Sequence, residues 1–360
     1  MAAVSSIEDV DVVVVGLGPA GALAAAGAAE AGLNVVAFER KKTPGQPVQC
    51  AEFVPAMLHH ETAHIKAVTQ QLISHMRSFV EGQPPDDTAD FRGHMIDRDR
   101  FDAQMVAQAR AMGARCEIGI GVAAISADGI LQTTDGRCFR PRVLIGADGP
   151  RSIVGRAMGS RNTELVETRQ ITVALLQPLN GTDIFLRADI VGGYGWLFPK
   201  GSFANLGLGV VPNERDRLKP LLHQLHGELQ EQGRVSAEII QHTGGAIPVG
   251  GMIKCLGKLG TVEVLLAGDA AGLTNPITGA GIPAAIHSGM LAGAALRGWF
   301  AGAPEALAEY EVELEDLYQT SLERACRRRA EMLSQYDHGG RPDAAALRRS
   351  WIAYDAYWAA

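Results

Sequence analysis

Hydrophobic positions in the first third of the chain follow the pattern of a βαβ unit. An apolar run over residues 11–15 predicts a buried strand, residues 19–31 predict an alanine-rich helix, and residues 34–38 predict a second strand. Helical spacing returns near residues 54–74 and over residues 98–112. Alternation of strand and helix in this order is typical of a parallel sheet covered by helices.

The pattern changes in the rest of the chain. Several short strands are predicted between residues 115 and 145, and Asp135-Gly136 is a hairpin signal. Longer alternating strands between residues 168 and 211 favour an antiparallel sheet that covers a pocket. A polar helix is predicted over residues 213–232 and a long helix over residues 303–335. The second part of the chain therefore has a different architecture from the first.

Composition and charge narrow the class of protein. Hydrophobic residues form 47% of the 360 positions and charged residues 20%, so a full core is expected. The formal net charge of -7 argues against a nucleic-acid partner. The five cysteines are widely spaced and contain no C-x-x-C pair, so neither a disulfide framework nor a metal site is expected. They are Cys50, Cys116, Cys138, Cys255 and Cys326.

Residues 12–29 form an uncharged stretch of 18 positions, a length that also suits a membrane span. Gly16, Gly18, Pro19 and Gly21 interrupt this stretch, and much of the remainder is weakly apolar alanine. A buried strand, turn and helix explain it better. Because no basic region or cleavage site precedes it, no signal peptide is expected. We expect a cytoplasmic protein, either freely soluble or held peripherally at a membrane.

Three glycine-rich segments each follow a short apolar run. They are Gly16-Leu17-Gly18-Pro19-Ala20-Gly21, Gly146-Ala147-Asp148-Gly149-Pro150 and Gly268-Asp269-Ala270-Ala271-Gly272. A strand that ends in such a turn brings backbone N–H groups close to a phosphate or a ribityl chain. The recurrence of this context predicts a nucleotide-type cofactor.

The first segment has the spacing of a dinucleotide-binding turn. Gly16 permits the tight turn, Gly18 lets the backbone approach a pyrophosphate, and Gly21 lets the helix pack on its strand. Glu39 ends the second strand, where a carboxylate can accept hydrogen bonds from a ribose, and Arg40 beside it is assigned to the same site. A carboxylate there suits FAD or NAD better than NADP. The alternative is a glycine turn without a ligand.

The three segments in this order resemble flavoproteins of the para-hydroxybenzoate-hydroxylase type, which bind FAD. The resemblance implies that Pro19, Ala20 and Asp148 belong to the FAD site and that Asp269 binds a ribityl hydroxyl. It also implies that Gly279, Gly281 and Ile282 open a helix facing the flavin ring. By the same resemblance Arg98 contacts the pyrophosphate region and the Val122 backbone meets the adenine. Arg100 competes with Arg98, and an ordinary strand residue is the alternative for Val122.

With this resemblance, the chain is expected to have an α/β fold. In it, a Rossmann-like FAD-binding domain is interleaved with an antiparallel-sheet substrate domain and followed by C-terminal helices. The FAD-binding domain is predicted to comprise residues 1–75, 95–165 and 256–302, the substrate domain residues 76–94 and 166–255, and the helical tail residues 303–360.

The segment Tyr194-Gly195-Trp196-Leu197-Phe198-Pro199-Lys200 resembles the Y-x-W-x-F-P-K signature of the geranylgeranyl reductase family. Cys50 resembles the cysteine of that family that lies near the flavin. Ala51 and Glu52 depart from the glycines usual after this cysteine, and the C-terminal part is short. Both departures touch the substrate side.

The residues themselves leave alternatives open at these positions. Tyr194, Trp196 and Phe198 alternate on a strand and project from one face, where they can line a substrate channel or form ordinary core. Cys50 is either a catalytic residue or a small buried hydrophobe. Lys200 is also consistent with an ordinary charge at a strand end.

Two further groups lie outside these motifs. His59, His60 and His64 have near-helical spacing, but a surface face is a better interpretation than a metal site. In the tail, Trp351, Tyr354 and Trp358 recur at i, i+3 and i+7 after two arginines, which predicts a short helix with an aromatic stripe. Such a stripe suits a membrane interface, a lid or a partner contact. Docking of the helix on its own domain is the alternative.

The hypothesis from the sequence is an FAD-dependent oxidoreductase that reduces carbon–carbon double bonds of a hydrophobic, isoprenoid-like substrate. One alternative is a flavin-dependent monooxygenase acting on an aromatic or peptidyl substrate, and another is an electron-transfer flavoprotein with a protein partner. No second nucleotide-binding βαβ unit is evident in the sequence. We therefore expect the electron donor to be NAD(P)H bound without its own Rossmann domain, or a redox protein.

Overall fold

A computed structural model of the chain describes residues 7–56 and 63–359. Its strands are, in chain order, β1 (Ile7–Val15), β2 (Val35–Glu39), β3 (Phe53–Pro55), β4 (Thr69–Ile73), β5 (Met76–Val80), β6 (Asp86–Thr88), β7 (Gly93–Ile96), β8 (Arg115–Ile118), β9 (Val122–Ile125), β10 (Leu131–Thr133), β11 (Cys138–Gly146), β12 (Leu165–Leu175), β13 (Thr182–Leu186), β14 (Gly195–Lys200), β15 (Phe203–Val210), β16 (Val235–Thr243), β17 (Ala246–Pro248), β18 (Leu256–Leu259) and β19 (Val262–Leu266). The helices are α1 (Pro19–Glu30), α2 (Ala63–Val68), α3 (Arg98–Ala111), α4 (Ile153–Met158), α5 (Leu218–Glu231), α6 (Ile282–Phe300), α7 (Ala306–Ser334), α8 (Ala344–Arg349) and α9 (Asp355–Trp358). Short 3-10 helices occupy Pro212–Arg217, Gly268–Ala271 and Asp337–Gly339.

The first sheet has the strand order β18-β19-β11-β1-β2-β8, and β10 and β9 extend it beside β11. Its central pairs, β1 with β2 and β11, are parallel. Val12, Val13 and Val14 are fully buried, as expected for a parallel strand covered on both faces. Helices α1 and α6 pack closely, since a Cβ built on Gly27 would lie 3.0 Å from the Cα of Gly293. This close approach fixes the position of both helices.

The second sheet has the order β16-β12-β15-β14-β13-β5-β6, with β17 beside β12. Its pairs are antiparallel except β13 with β5. Alternation along β14 divides two clusters: Leu197 packs with the leucines of α5 on one face, whereas Trp196 and Phe198 pack on the other. The sheet therefore has a helix-covered face and an aromatic face.

The α/β fold class predicted from the sequence is confirmed, including the βαβ unit and the antiparallel sheet. Strands of the first sheet come from residues 7–39, 115–146 and 256–266, and those of the second from residues 76–88, 165–210 and 235–248. The division into domains with the bounds given above stays a prediction.

The helical expectation near residues 54–74 is wrong for most of the described positions. Strands β3 and β4 both pair with β7 in a small third sheet, and α2 is short. Pairing with a strand 20 or more positions away prevails here over local helical spacing. His59 and His60 lie outside the described residues. Among the described residues, no group of three or more His, Cys, Asp or Glu side chains is arranged to hold a metal ion.

The long tail helix is confirmed as α7, but the continuous aromatic helix predicted after it is wrong. The chain bends between α8 and α9, and Trp351 is buried whereas Trp358 is half exposed. The hydroxyl of Tyr354 donates to Asp86 Oδ2 over 2.8 Å. Contacts with the second sheet thus separate the three aromatic residues. Over the described ranges, no helix is long and apolar enough to cross a membrane.

Candidate functional site

A cavity of about 320 Å³ is bounded by residues of both large sheets. The first sheet contributes glycine-rich turns, and the second contributes the aromatic face of β14. The lining includes most residues that the sequence assigned to a site: Gly18, Pro19, Ala20, Cys50, Arg98, Tyr194, Trp196, Phe198, Asp269, Gly279, Gly281 and Ile282. One continuous space therefore joins the predicted cofactor motifs to the predicted substrate wall.

Two helix N-termini face this cavity. Helix α1 begins after Gly18 and helix α6 after Gly281, and neither cap residue offers a side-chain hydrogen bond. The first N–H groups of a helix have no partner within the helix, and its dipole places partial positive charge there. The two ends are thus suited to a pyrophosphate and to the polar edge of a flavin ring.

The glycines of the first turn have different environments. A Cβ on Gly16, whose φ is +91°, would lie 2.4 Å from the Ala147 carbonyl oxygen, and one on Gly21 would lie 1.9 Å from the Gly16 carbonyl oxygen. A Cβ on Gly18 would meet nothing within 4 Å. Gly16 and Gly21 are therefore needed for close packing, whereas the space beside Gly18 is open to a ligand.

The third glycine segment places a buried carboxylate on the cavity. Asp269 Oδ1 accepts a hydrogen bond of 2.8 Å from the Thr274 hydroxyl, and Asn162 donates to the Asp269 carbonyl oxygen. Burial raises the pKa of Asp269, while the Thr274 hydrogen bond and the Arg98 charge oppose that rise. The carboxylate is fixed in place and suited to accept a hydrogen bond from a ligand hydroxyl.

Glu39, Arg40 and Val122 lie beyond the cavity lining. Glu39 accepts hydrogen bonds from the backbone N–H groups of Leu17 (3.0 Å) and Lys41 (2.9 Å), so its carboxylate lies directly beside the first glycine turn. A Cβ built on Gly121 would contact the Arg40 Cβ at 3.3 Å. The structure therefore brings the predicted adenosine-side residues together at the carboxyl end of β2.

The Asp148 carboxylate has hydrogen-bond donors nearby in the chain that the sequence did not reveal. Its carboxylate accepts hydrogen bonds from the Ser152 hydroxyl (2.5 Å) and from the Ile153 backbone N–H (2.6 Å) at the start of α4. Its neighbours Ala147 and Gly149 line the cavity, and Asp148 itself lies outside the lining. Its assignment to the cofactor stays a prediction.

Cys50 lies on the cavity beside the start of α3. Its sulfur accepts a hydrogen bond from the Glu52 backbone N–H at 3.2 Å. Burial raises the pKa of the thiol, although the Arg98 charge and the Glu52 N–H favour the thiolate. Arg98 is paired with Asp102 over 2.8 Å. Burial opposes the charge of Arg98, yet Asp102 and Cys50 hold its pKa above the ordinary value. A protonated thiol therefore lies next to a permanently charged guanidinium.

The aromatic wall consists of Tyr194, which directly precedes β14, of side chains on β14 and of one side chain from the tail. Tyr194 and Trp351 lie with ring centroids 4.7 Å apart, and Trp196 and Phe198 continue the wall. The Tyr194 hydroxyl donates to the Thr278 carbonyl oxygen at 2.5 Å, beside the N-terminus of α6. Trp196 Nε1 donates to Gln170 Oε1 at 3.0 Å. With both polar tips engaged, the rings present apolar surface to the cavity.

Comparison with known proteins agrees with this geometry. The FAD dependent oxidoreductase family matches residues 11–128. The digeranylgeranylglycerophospholipid reductase of Methanocella arvoryzae is 31% identical over 87% of this chain and 85% of its own length. The protein of the same name from Methanothrix thermoacetophila is 33% identical over 79% of this chain and 76% of its own length. The chain belongs to the geranylgeranyl reductase family.

Solved structures support the fold of this geranylgeranyl reductase family member. A geranylgeranyl bacteriochlorophyll reductase-like protein from Thermoplasma acidophilum superimposes with a TM-score of 0.81 at 24% identity, over 98% of this chain and 96% of that chain. PqsL of Pseudomonas aeruginosa, solved with 2-aminobenzoylacetate, gives a TM-score of 0.71 at 18% identity, over 94% and 98% of the two chains. The predicted family and its FAD dependence are confirmed.

The residues present fit FAD. The open space beside Gly18, the two uncapped helix N-termini and the fixed Asp269 carboxylate supply donors and acceptors of the kinds that a pyrophosphate, a flavin edge and a ribityl chain require. The protein is an FAD-dependent oxidoreductase of the geranylgeranyl reductase family.

Several lining residues of this family member were missed from the sequence. Gln170, Glu52 and Thr274 all line the cavity. Gln170 also accepts a hydrogen bond from Trp196, and Thr274 donates one to Asp269. Trp351 was noted as a tail aromatic but not as part of the wall. Glu52 carried a signal, because it stands where the family usually has glycine. The other residues lie on ordinary-looking segments that only the folded chain brings together.

Proposed function

We propose that this protein reduces carbon–carbon double bonds of a hydrophobic, isoprenoid-like substrate. The observation that carries the proposal is the continuous cavity in which cofactor-type turns meet the aromatic wall of Tyr194, Trp196 and Phe198. An apolar chain is bound by apolar and aromatic surface, whereas a charged substrate would need paired ionic groups. The names of the relatives, which refer to digeranylgeranylglycerophospholipid, support an isoprenoid chain as the substrate part.

The N-termini of α1 and α6 would hold FAD, with the Gly18 turn at the pyrophosphate and Gly281 and Ile282 at the flavin edge. When bound and reduced, FAD supplies a hydride equivalent. The helix dipole of α6 stabilises negative charge at its N-terminus and so favours the reduced form. Tyr194 holds the loop before this helix through Thr278, so the substrate wall and the flavin-facing helix keep a constant spacing.

Cys50 is our candidate for the proton donor. Its Sγ lies on the same cavity, and burial keeps the thiol protonated near neutral pH. Saturation of a double bond requires a hydride equivalent at one carbon and a proton at the other. The Cys50 thiol would donate that proton, and Arg98 with the Glu52 N–H would stabilise the resulting thiolate until water reprotonates it.

The proposal also includes the electron donor and an association with the membrane. NAD(P)H or a redox protein would reduce the flavin. An apolar chain must be collected from a lipid phase, which supports a peripheral membrane contact. Trp358, half exposed and stacked under the Arg324 guanidinium, has the amphipathic character of interfacial residues. Flotation with anionic liposomes tests this contact, and equal flotation of Trp358→Ala would exclude a role of this residue.

The reaction itself is tested with the FAD-loaded protein after anaerobic reduction by dithionite. Addition of a digeranylgeranylglycerophospholipid should reoxidise the flavin, and mass spectrometry should find added pairs of hydrogen atoms in the lipid. A fully saturated lipid of the same headgroup is the control and should leave the flavin reduced. If reoxidation requires oxygen and the product gains oxygen atoms, the protein is a monooxygenase and the proposal fails.

A further inference from the structure

Glu52 is a buried carboxylate with an unusual backbone conformation. Its φ is +68°, a region that side chains other than glycine seldom adopt, and 4% of its surface is exposed. Such a conformation costs free energy and persists only where the surroundings hold it. The contacts of Glu52 therefore indicate which function requires this conformation.

The carboxylate of Glu52 is held from three elements. Lys200 at the end of β14 donates to Oε1 over 2.9 Å, and Asn205 of β15 donates to Oε2 over 2.9 Å. The backbone N–H of Arg98, at the start of α3, also donates to Oε1 over 3.0 Å. This last bond satisfies the first N–H of α3, which has no partner within the helix.

The backbone of Glu52 is directed at Cys50 as a consequence. Its N–H donates to the Cys50 sulfur at 3.2 Å, and its carbonyl oxygen accepts from the Ile96 N–H at 2.9 Å. Glu52 lines the cavity, whereas Lys200 and Asn205 do not. Asn205 also donates to the Ala51 carbonyl oxygen over 3.3 Å. Lys200 can therefore act on the thiol only through Glu52 or through its charge, and Asn205 acts through Glu52 and its neighbour Ala51.

We infer that Lys200 and Asn205 are positioning residues for Cys50: by holding the two carboxylate oxygens of Glu52, they keep its N–H pointed at the cysteine sulfur. This N–H stabilises the thiolate left after proton donation, so the inference rests on the proposed role of Cys50 as the acid. The last residue of the Y-x-W-x-F-P-K segment then has a function distinct from the aromatic wall: it links that strand to the reacting side of the cavity.

Charged and titratable groups near Cys50 and near Lys200 affect any test of this inference. Cys50 faces the guanidinium of Arg98, the carboxylate of Glu52 and the hydroxyl of Tyr194. The Lys200 ammonium also lies 3.7 Å from Asp97 Oδ1. Removal of Lys200 therefore changes charge as well as position. Removal of Asn205 changes position alone, since its amide is neutral.

The experiment measures alkylation of Cys50 by iodoacetamide in the full-length FAD-loaded protein, at several pH values, by peptide mass spectrometry. The variants are Lys200→Met, Asn205→Ala and Lys200→Arg. Lys258→Met is the matched control, because Lys258 is an exposed lysine of the first sheet that pairs with Glu263 at 2.7 Å. Loss of the N–H contact raises the thiol pKa, so alkylation near neutral pH should slow about threefold to tenfold in Lys200→Met and in Asn205→Ala.

Lys200→Arg, which keeps the charge and the donors, should alkylate within about twofold of the parent, as should Lys258→Met. A parental rate in both Lys200→Met and Asn205→Ala would overturn the inference. So would a slowed Lys200→Met beside a parental Asn205→Ala, since charge alone would then explain the effect. FAD content and circular dichroism report folding, and Asn205→Ser replaces Asn205→Ala if the latter does not fold.

Alkylation needs no substrate, so this result is independent of the proposed reaction. Turnover by Cys50→Ser tests the role of the thiol as the acid. If Cys50→Ser turns over at the parental rate while alkylation is slowed in the other variants, Cys50 is not the proton donor. Lys200 and Asn205 would then still be shown to position the Glu52 N–H at the cysteine sulfur.

Discussion

The substitution Gly18→Val separates cofactor binding from folding. A Cβ on Gly18 meets no protein atom within 4 Å, and the residue's φ of −71° and ψ of −174° are open to any side chain. As the cap of α1, Gly18 makes no side-chain hydrogen bond that could be lost. We therefore expect the free energy of unfolding of the FAD-free protein to change by about 1 kcal/mol or less.

Binding should respond much more strongly. The valine would occupy the open space where the backbone approaches the pyrophosphate and would hold the phosphate away from the N-terminus of α1. Each hydrogen bond to a charged group contributes about 1.5–3 kcal/mol, so the loss of one or two should weaken FAD binding by at least about tenfold to a hundredfold. Gly21→Ala is the contrasting variant, because its Cβ would lie 1.9 Å from the Gly16 carbonyl oxygen and must disturb the fold.

The assays are urea denaturation of the FAD-free proteins and titration of FAD followed by quenching of its fluorescence. We expect Gly18→Val to unfold at nearly the parental urea concentration and to bind FAD poorly, whereas Gly21→Ala should lose stability. If Gly18→Val binds FAD with parental affinity, the phosphates do not lie beside Gly18. If it is as unstable as Gly21→Ala, the residue is needed for packing and the reasoning from open space is wrong.

Three further predictions concern the substrate side. Trp351→Ala should lower the free energy of unfolding by about 3 kcal/mol in a denaturation experiment. It should also raise KM, while the FAD content measured by absorbance stays near parental; an unchanged KM would contradict the place of Trp351 in the wall. Because burial raises the pKa of Cys50 above that of a free cysteine, turnover should fall only at alkaline pH beyond the ordinary cysteine range. Cys50→Ser should lose that alkaline fall and about a hundredfold in rate. Removal of residues 348–360 should lower the melting temperature, since it uncovers the apolar wall around Leu347; an unchanged melting temperature would show that the tail is not part of the core.

The cofactor side of this protein was predictable from the sequence. Gly16, Gly18 and Gly21 lie within six consecutive positions, and the apolar run before them is the strand that the turn requires. Such patterns are local: the spacing of glycines and the period of apolar residues directly reflect the geometry of one turn, one strand or one helix. The alternation of Tyr194, Trp196 and Phe198 predicted a shared face for the same reason.

The substrate side was decided by tertiary structure. Lys200 and Glu52 are 148 positions apart, and nothing local in either segment names the other as a partner. The spacing of Trp351 and Trp358 predicted one helix face, but Trp351 is buried in contact with the Tyr194 ring, whereas Trp358 stays half exposed. A local pattern determines which face a residue occupies within its own element. Which element covers that face depends on long-range packing, and this packing created the cavity wall and the contacts of Glu52.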